Sequence, residues 1–139
     1  MGKILLADDH HDIVRLLELA LRGDGHQILV AHDGVTTLAL AQAERPDMMI
    51  LDVHMPELDG LRVLSRVKAD PTLRDTVVVM LTVQNHPTDV ALGLDIGADY
   101  YLGKPFHPTE VRQLVRRIFQ NRPAKGEESH RASTSGSSA

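Results

Sequence analysis

Five residues of this chain carry groups that could do chemistry together: Asp8, Asp9, Asp52, Thr82 and Lys104. Each stands at or just past the end of a short apolar run. Lys3-Ile4-Leu5-Leu6-Ala7 precedes Asp8-Asp9, Met48-Met49-Ile50-Leu51 precedes Asp52, Thr76–Leu81 precedes Thr82, and Asp99–Leu102 precedes Gly103-Lys104. Singly, each is unremarkable, because Asp commonly ends a strand or caps a turn. Brought together, three carboxylates repel, and at least one has a raised pKa unless a cation sits among them. An all-oxygen site with open positions suits Mg²⁺, which binds through a few carboxylates, keeps waters and leaves room for a phosphoryl oxygen. A hydroxyl from Thr82 and an ammonium from Lys104 would flank such a site. Neutralising charge on equatorial oxygens is what phosphoryl transfer needs, and Asp52 could then act as nucleophile and form an aspartyl phosphate.

That convergence requires particular elements. The apolar run ending in Asp52 is bounded by Pro46-Asp47 and by Pro56 and Gly60, and reads as a strand buried on both faces. Lys3–Ala7 and Gln27–Ala31 read as further strands. Asp12 is expected to cap a helix over Ile13–Leu21, with Ile13, Leu16, Leu17, Ala20 and Leu21 on its inner face and Gly23 and Gly25 stopping it. Asp33-Gly34 forms a turn before a helix over Val35–Glu44, amphipathic around Val35, Leu38 and Ala39 and ended by Pro46. After Gly60, Leu61, Leu64 and Val67 mark a short helix that stops near Asp70-Pro71. Thr76–Leu81 is the most β-prone run. Pro87 opens a helix through about Leu94, closed by Gly97, with a poorly defined apolar stripe. Asp99–Leu102 is the last strand, and Pro108-Thr109 opens a helix with Val111, Leu114, Val115 and Ile118 inward.

Five strands alternating with five helices imply an α/β fold, a doubly wound parallel sheet with helices on both faces. Right-handed crossovers put every strand's C-terminal end on one edge. The chemically unusual residues occupy that edge at every strand except the second. In the order 2-1-3-4-5 the first and third strands are neighbours, and Asp8, Asp9 and Asp52 share the crevice at the switch point.

Composition narrows the function. A chain of 139 residues suits one domain, expected over 1–121, and the Ser-rich stretch 122–139 has nothing to bury and reads as a disordered tail or truncated linker. The formal charge of −4 does not favour direct nucleic-acid binding by this domain. The absence of cysteine removes disulfides, thiolate catalysis and thiolate metal sites. No apolar run approaches a membrane span and no signal peptide opens the chain, so a cytoplasmic location is expected.

The motifs Asp8-Asp9, LDVHMPELDG around Asp52, Leu81-Thr82 and GADYYLGKPF from Gly97 to Phe106, in this order, resemble the receiver domain of a two-component response regulator over roughly residues 3–121. The resemblance implies a flavodoxin-like five-stranded sheet in the order 2-1-3-4-5. It implies that Asp52 accepts a phosphoryl group from the phosphohistidine of a sensor histidine kinase or phosphotransfer protein. Asp8, Asp9, Asp52 and the backbone carbonyl of His54 would hold Mg²⁺. Thr82 would hydrogen-bond a phosphoryl oxygen, Lys104 would pair with it, and Tyr101 would be the aromatic that turns inward when Thr82 moves. The peptide before Pro105 would be cis. The output surface would be the fourth helix, fifth strand and fifth helix, a face that could form a homodimer or meet a downstream effector. The protein then either acts by binding a partner or is the front part of a longer regulator with a C-terminal output domain. Two departures stand out. Val83 replaces the small residue usual after the Thr, which predicts slow phosphorylation by small donors, and His54 and Gln84 occupy the rim positions that tune water access.

Competing readings are weaker. A pseudo-receiver used only for docking is opposed by the intact Asp8, Asp9, Asp52, Thr82 and Lys104. A Mg²⁺-dependent aspartyl-phosphate phosphatase expects a second Asp two residues after the nucleophile, where this chain has His54, and a cap for which there is no room. Turnover of a separate substrate is therefore not expected. A zinc site at His10-His11 is disfavoured because adjacent side chains do not easily face one ion. Arg112, Arg116, Arg117 and Arg122 read as a solvated or partner-facing surface.

Overall fold

A computed structural model describes residues 2–83, 91, 93 and 95–121. Its strands are β1 (Lys3–Ala7), β2 (Gln27–Ala31), β3 (Met48–Asp52), β4 (Val77–Val83) and β5 (Tyr100–Lys104). They form one parallel sheet in the order β2-β1-β3-β4-β5. The helices are α1 (His11–Leu21), α2 (Gly34–Glu44), α3 (Gly60–Ala69), the helical residues 91, 93, 95 and 96, here α4, and α5 (Pro108–Asn121). The fold is the doubly wound one expected. The start of the helix expected at Pro87, and the tail 122–139, lie outside the described residues.

The sheet is the core. All five residues of β3 are buried, as are the first six of β4, and up to the polar Asp52 and Thr82 these strands are unbroken apolar runs. One face packs Ile4, Leu6, Ile50, Val79 and Leu81 against Val14, Leu17 and Leu21 of α1 and Val111, Val115 and Ile118 of α5. The other packs Leu5, Met49, Leu51, Val78 and Met80 against Ala41 of α2 and Val63, Leu64 and Val67 of α3. Each fully buried Leu or Ile contributes about 1.5–3 kcal/mol, which fixes the sheet from both sides.

Local details depart from expectation in ways that matter. Asp12 does not cap α1: the helix begins at His11, its N-cap is His10 without a side-chain bond, and Asp12 lies in the first turn. The inner face of α1 centres on Val14 and Leu17, with Ile13 and Leu16 only half-buried. In α2 the expected face is rotated. Val35 and Ala39 are exposed, while Gly34, Thr37 and Ala41 are buried and the Thr37 hydroxyl donates to the Asp33 carbonyl at 2.6 Å. Asp33 is a true N-cap, accepting from Thr36 N at 2.7 Å. Asp59 does the same for α3 through Arg62 N at 2.9 Å. Strands β4 and β5 each run two residues past their expected ends, to Val83 and Lys104.

Candidate functional site

The parallel register lays the strand ends side by side. Ala7 pairs with Leu51, Asp52 with Leu81, Thr82 with Gly103 and Val83 with Lys104. Asp8, the residue after β1, therefore lies next to Asp52, the last residue of β3. Asp8 is fully buried, and Asp52 and Thr82 are nearly so. Because β5 extends to Lys104, its side chain starts inside the sheet and reaches back across β4. Its Nζ lies 3.0 Å from Asp52 Oδ1 and 2.8 Å from Asp8 Oδ2. It donates a hydrogen bond to Asp52. The approach to Asp8 is mainly charge attraction, since Asp8 Oδ2 makes no aligned hydrogen bond.

The loop after Asp52 folds back tightly. Gly60 N donates to the Val53 carbonyl at 2.7 Å, and a Cβ on Gly60 would overlap the backbone carbonyl oxygen of Asp52. Only glycine permits α3 to start so close to the end of β3. The Lys104–Pro105 peptide is cis, as expected.

His10 is a participant that sequence reasoning set aside. Its backbone N–H donates to Asp8 Oδ1 at 2.9 Å, and its Nδ1 lies 2.9 Å from the same oxygen and 3.2 Å from Asp9 Oδ1. The backbone bond curls the chain so that His10 faces the carboxylates, although it is adjacent to them in sequence. His11 instead turns away and stacks on His32, with ring centroids 3.8 Å apart. The two adjacent histidines thus do not face one point together, as the sequence predicts, although His10 alone joins the carboxylates.

The electrostatics follow from this arrangement. Burial, and then the negative charge of Asp8, push the Asp52 carboxyl up to about 6, against the pull of Lys104. Burial also acts to raise Asp8, but the Lys104 ammonium and the His10 N–H outweigh it and hold Asp8 below the usual carboxylate range. Burial works against the Lys104 charge, yet Asp8 and Asp52 hold its pKa above normal. His10 is raised by Asp8, and next by Asp9. Three carboxylates against one ammonium leave a formal surplus of two negative charges. Ligand atoms of Asp8, Asp9, His10 and Asp52 lie within 4.8 Å of one another, and Asp8 Oδ2 and Asp9 Oδ1 are buried without a hydrogen bond. That donor set fits a divalent cation.

Thr82 stands one residue past the partner of Asp52, and its Oγ1 donates to the Val83 carbonyl at 3.3 Å. Val83 is 41% exposed at the same edge. Tyr101 is half-buried on the α2–α3 side of the sheet. His54 is exposed, and Gln84 lies outside the described residues. Of the arginines read as a solvated or partner-facing surface, two make contacts within the chain, and Arg116 does so while 55% exposed. Arg112 Nε donates to the Ala20 carbonyl at 3.1 Å, and Arg116 grips Asp24 through two bonds of 2.8 and 2.9 Å. Arg122 lies outside the described residues.

Known proteins share this combination of sheet and edge. The family description "Response regulator receiver domain" matches residues 4–116. The alkaline phosphatase synthesis transcriptional regulatory protein PhoP of Bacillus subtilis is 39% identical over 118 residues, covering 85% of this chain and 48% of its own. The chain thus spans about half the length of that relative. Chemotaxis response regulator CheY4 of Vibrio cholerae superposes with a TM-score of 0.80 at 32% identity, covering 85% of this chain and 98% of that one. The Mn²⁺-bound form of response regulator Rcp1 superposes at 0.74 with 28% identity, covering 85% and 91%. With the sheet order, the acidic pocket and the family match in agreement, the chain belongs to the response regulator receiver domains of two-component signalling.

Proposed function

We propose that Asp52 is the phosphoacceptor of this receiver. The observation that carries the reading is the Lys104 ammonium poised between Asp8 Oδ2 and Asp52 Oδ1, at 2.8 and 3.0 Å, inside a pocket with surplus negative charge. An oxygen of Asp52 forms the new P–O bond as the P–N bond of a donor phosphohistidine breaks, its bonding pair leaving with the imidazole nitrogen. Asp8, Asp9, Asp52 and the His54 backbone carbonyl are the residues that would hold Mg²⁺, which when bound neutralises phosphoryl oxygens and keeps Asp52 ionised. Lys104 then swings its contact from the Asp52 carboxylate to the incoming phosphoryl group, and the Thr82 hydroxyl donates to another phosphoryl oxygen. Burial excludes bulk water, which strengthens each of these contacts.

On this reading residues 1–121 are the functional unit and 122–139 a tail or linker. The donor is a sensor histidine kinase or phosphotransfer protein in the cytoplasm. The consequence is a population shift on the α4-β5-α5 face, with Thr82 and Tyr101 moving together to present it to an effector, an output domain or a second copy. The chain turns over no separate substrate; it passes through its own phosphorylation and hydrolysis, with His54, Val83 and Gln84 tuning access.

The test is phosphorylation by acetyl phosphate and by a phosphorylated histidine donor in Mg²⁺, read on phosphate-affinity gels. A hydroxylamine-labile shifted band in the wild type, absent from Asp52→Asn and from EDTA controls, is expected. A band of equal intensity in Asp52→Asn would sink the assignment.

A further inference from the structure

Tyr101 sits on β5 opposite Met80, and it packs on the α2–α3 side of the sheet, the side that Ile96 and Ala98 also pack against. The end of that ring lies over Gly93, a buried helical residue of α4. A Cβ on Gly93 would overlap Tyr101 Oη, stand 2.9 Å from Cζ and 3.5 Å from Cε1. The three nearest atoms all belong to this one tyrosine, and none is backbone. The obstacle is therefore the far end of a side chain with two torsions, so the tyrosine would yield before the helix does. Glycine inside a helix weakens it relative to alanine. Here it provides a hollow of the depth of one methyl group.

We propose that Gly93 is a positioning residue for the signalling switch, because the hollow above its Cα seats Tyr101. In the arrangement described, Tyr101 occupies the hollow while the Thr82 hydroxyl is spent on the Val83 carbonyl at 3.3 Å. The two groups lie on adjacent strands: Met80 faces Tyr101, and Thr82 faces Gly103. A side chain at position 93 evicts the ring and so disfavours the state in which Thr82 is turned away. The remaining population is the one able to engage a phosphoryl group, and apparent affinity rises with its fraction. The inference rests on the reading of Thr82 and Tyr101 as a switch pair.

The test compares wild type, Gly93→Ala, Tyr101→Ala and the double variant. Their binding of beryllofluoride in saturating Mg²⁺ is measured by titration, the Tyr101 ring is followed by NMR, and thermal melts check folding. Gly93→Ala is expected to bind beryllofluoride about three- to tenfold more tightly. Its ligand-free Tyr101 signals should move toward the wild-type bound position. In the Tyr101→Ala background the Gly93→Ala change should have no effect on affinity, which a merely structural role would not produce. Unchanged or weaker binding by Gly93→Ala, or the same gain with and without Tyr101, overturns the role of Gly93 while leaving the switch intact. Wild-type binding that leaves the Tyr101 signals in place, or no wild-type binding, removes the switch reading itself and the inference with it.

Discussion

Two lysines at opposite edges of the same sheet illustrate the difference between holding a fold and holding a site. At the N-terminal edge, Lys68 of α3 donates to the carbonyls of Arg74 and Thr76 and to Asp99 Oδ2, at 3.2, 2.9 and 3.0 Å. The same Asp99 oxygen accepts from Val78 N at 2.9 Å, so the ammonium ties the end of α3 to the starts of β4 and β5. One positive charge meets one negative, and its three donors have three acceptors. At the C-terminal edge, Lys104 is more deeply placed but faces Asp8 and Asp52, with Asp9 alongside. That cluster is left negative, and its Asp8 Oδ2 and Asp9 Oδ1 are buried without an aligned hydrogen bond. A matched network stabilises the fold; a mismatched one persists only because the sheet around it is stable, and it is relieved by what binds there.

The largest effect should come from removing the mismatch itself. Asp52→Asn is expected to abolish phosphoryl uptake and also to stabilise the metal-free protein. The folded carboxyl is raised from 3.8 to about 6, so the folded state holds its proton more tightly than the unfolded chain. Its contribution to stability is present below pH about 4 and is lost as pH rises through about 6. Raising the carboxyl from 3.8 to about 6 corresponds to at most about 3 kcal/mol at neutral pH. Urea melts in EDTA should show wild-type stability falling across that window relative to Asp52→Asn. Parallel curves for the two proteins from pH 4 to 7 would contradict the strain assigned to Asp52.

The second comparison sets the lysines against each other. Lys68→Ala leaves two carbonyls and a carboxylate oxygen without their donor and should cost about 2 kcal/mol, discounted for the partial exposure of the pair. Added Mg²⁺ should not change that deficit. Lys104→Ala should cost a similar amount in EDTA, but a cation at 100 times its Kd returns about 2.7 kcal/mol, and more to a cluster made more negative. The Lys104→Ala deficit should therefore shrink in Mg²⁺. Deficits that respond equally to the metal would show that the two edges are not different in kind.

The same contrast explains what could be read in advance. Strands buried on both faces announce themselves as apolar runs, as β1, β3 and β4 do, while the half-buried edge strands β2 and β5 are short runs set off by turn residues. All five strands and the polar residues at their ends were therefore legible without coordinates. Features set by tertiary contact were not. The face of α2 is turned by the close approach of Gly34 to the Leu58 carbonyl, which no Cβ could share, so Thr37 is buried and Val35 is left 53% exposed. An Ala-rich helix has too little amphipathic contrast to reveal that rotation. Lys104 lies within a strand because its partners are far away in sequence. His10 joins the acidic cluster because one backbone bond to Asp8 curls the chain, a contact that its place in the sequence does not announce. The hollow at Gly93 has no signature in its own neighbours.

The smallest expected effect is at Val83, where the sequence predicts crowding. Val83 is 41% exposed at the C-terminal end of β4, paired with Lys104, so its crowding is expected to act on an approaching donor. A group in that position impedes approach without altering the acceptor's charge, and its removal should change rates and leave affinities for ions nearly untouched. Val83→Ala is expected to speed uptake from acetyl phosphate severalfold, a barrier change of about 1 kcal/mol. Mg²⁺ affinity and pH-dependent stability should stay as in wild type. A protein donor, which presents its phosphohistidine by docking on a wide surface, should gain less than the small donor. Equal gains with both donors would place the effect of Val83 on the acceptor chemistry, and no gain with either would show that the mouth is already open.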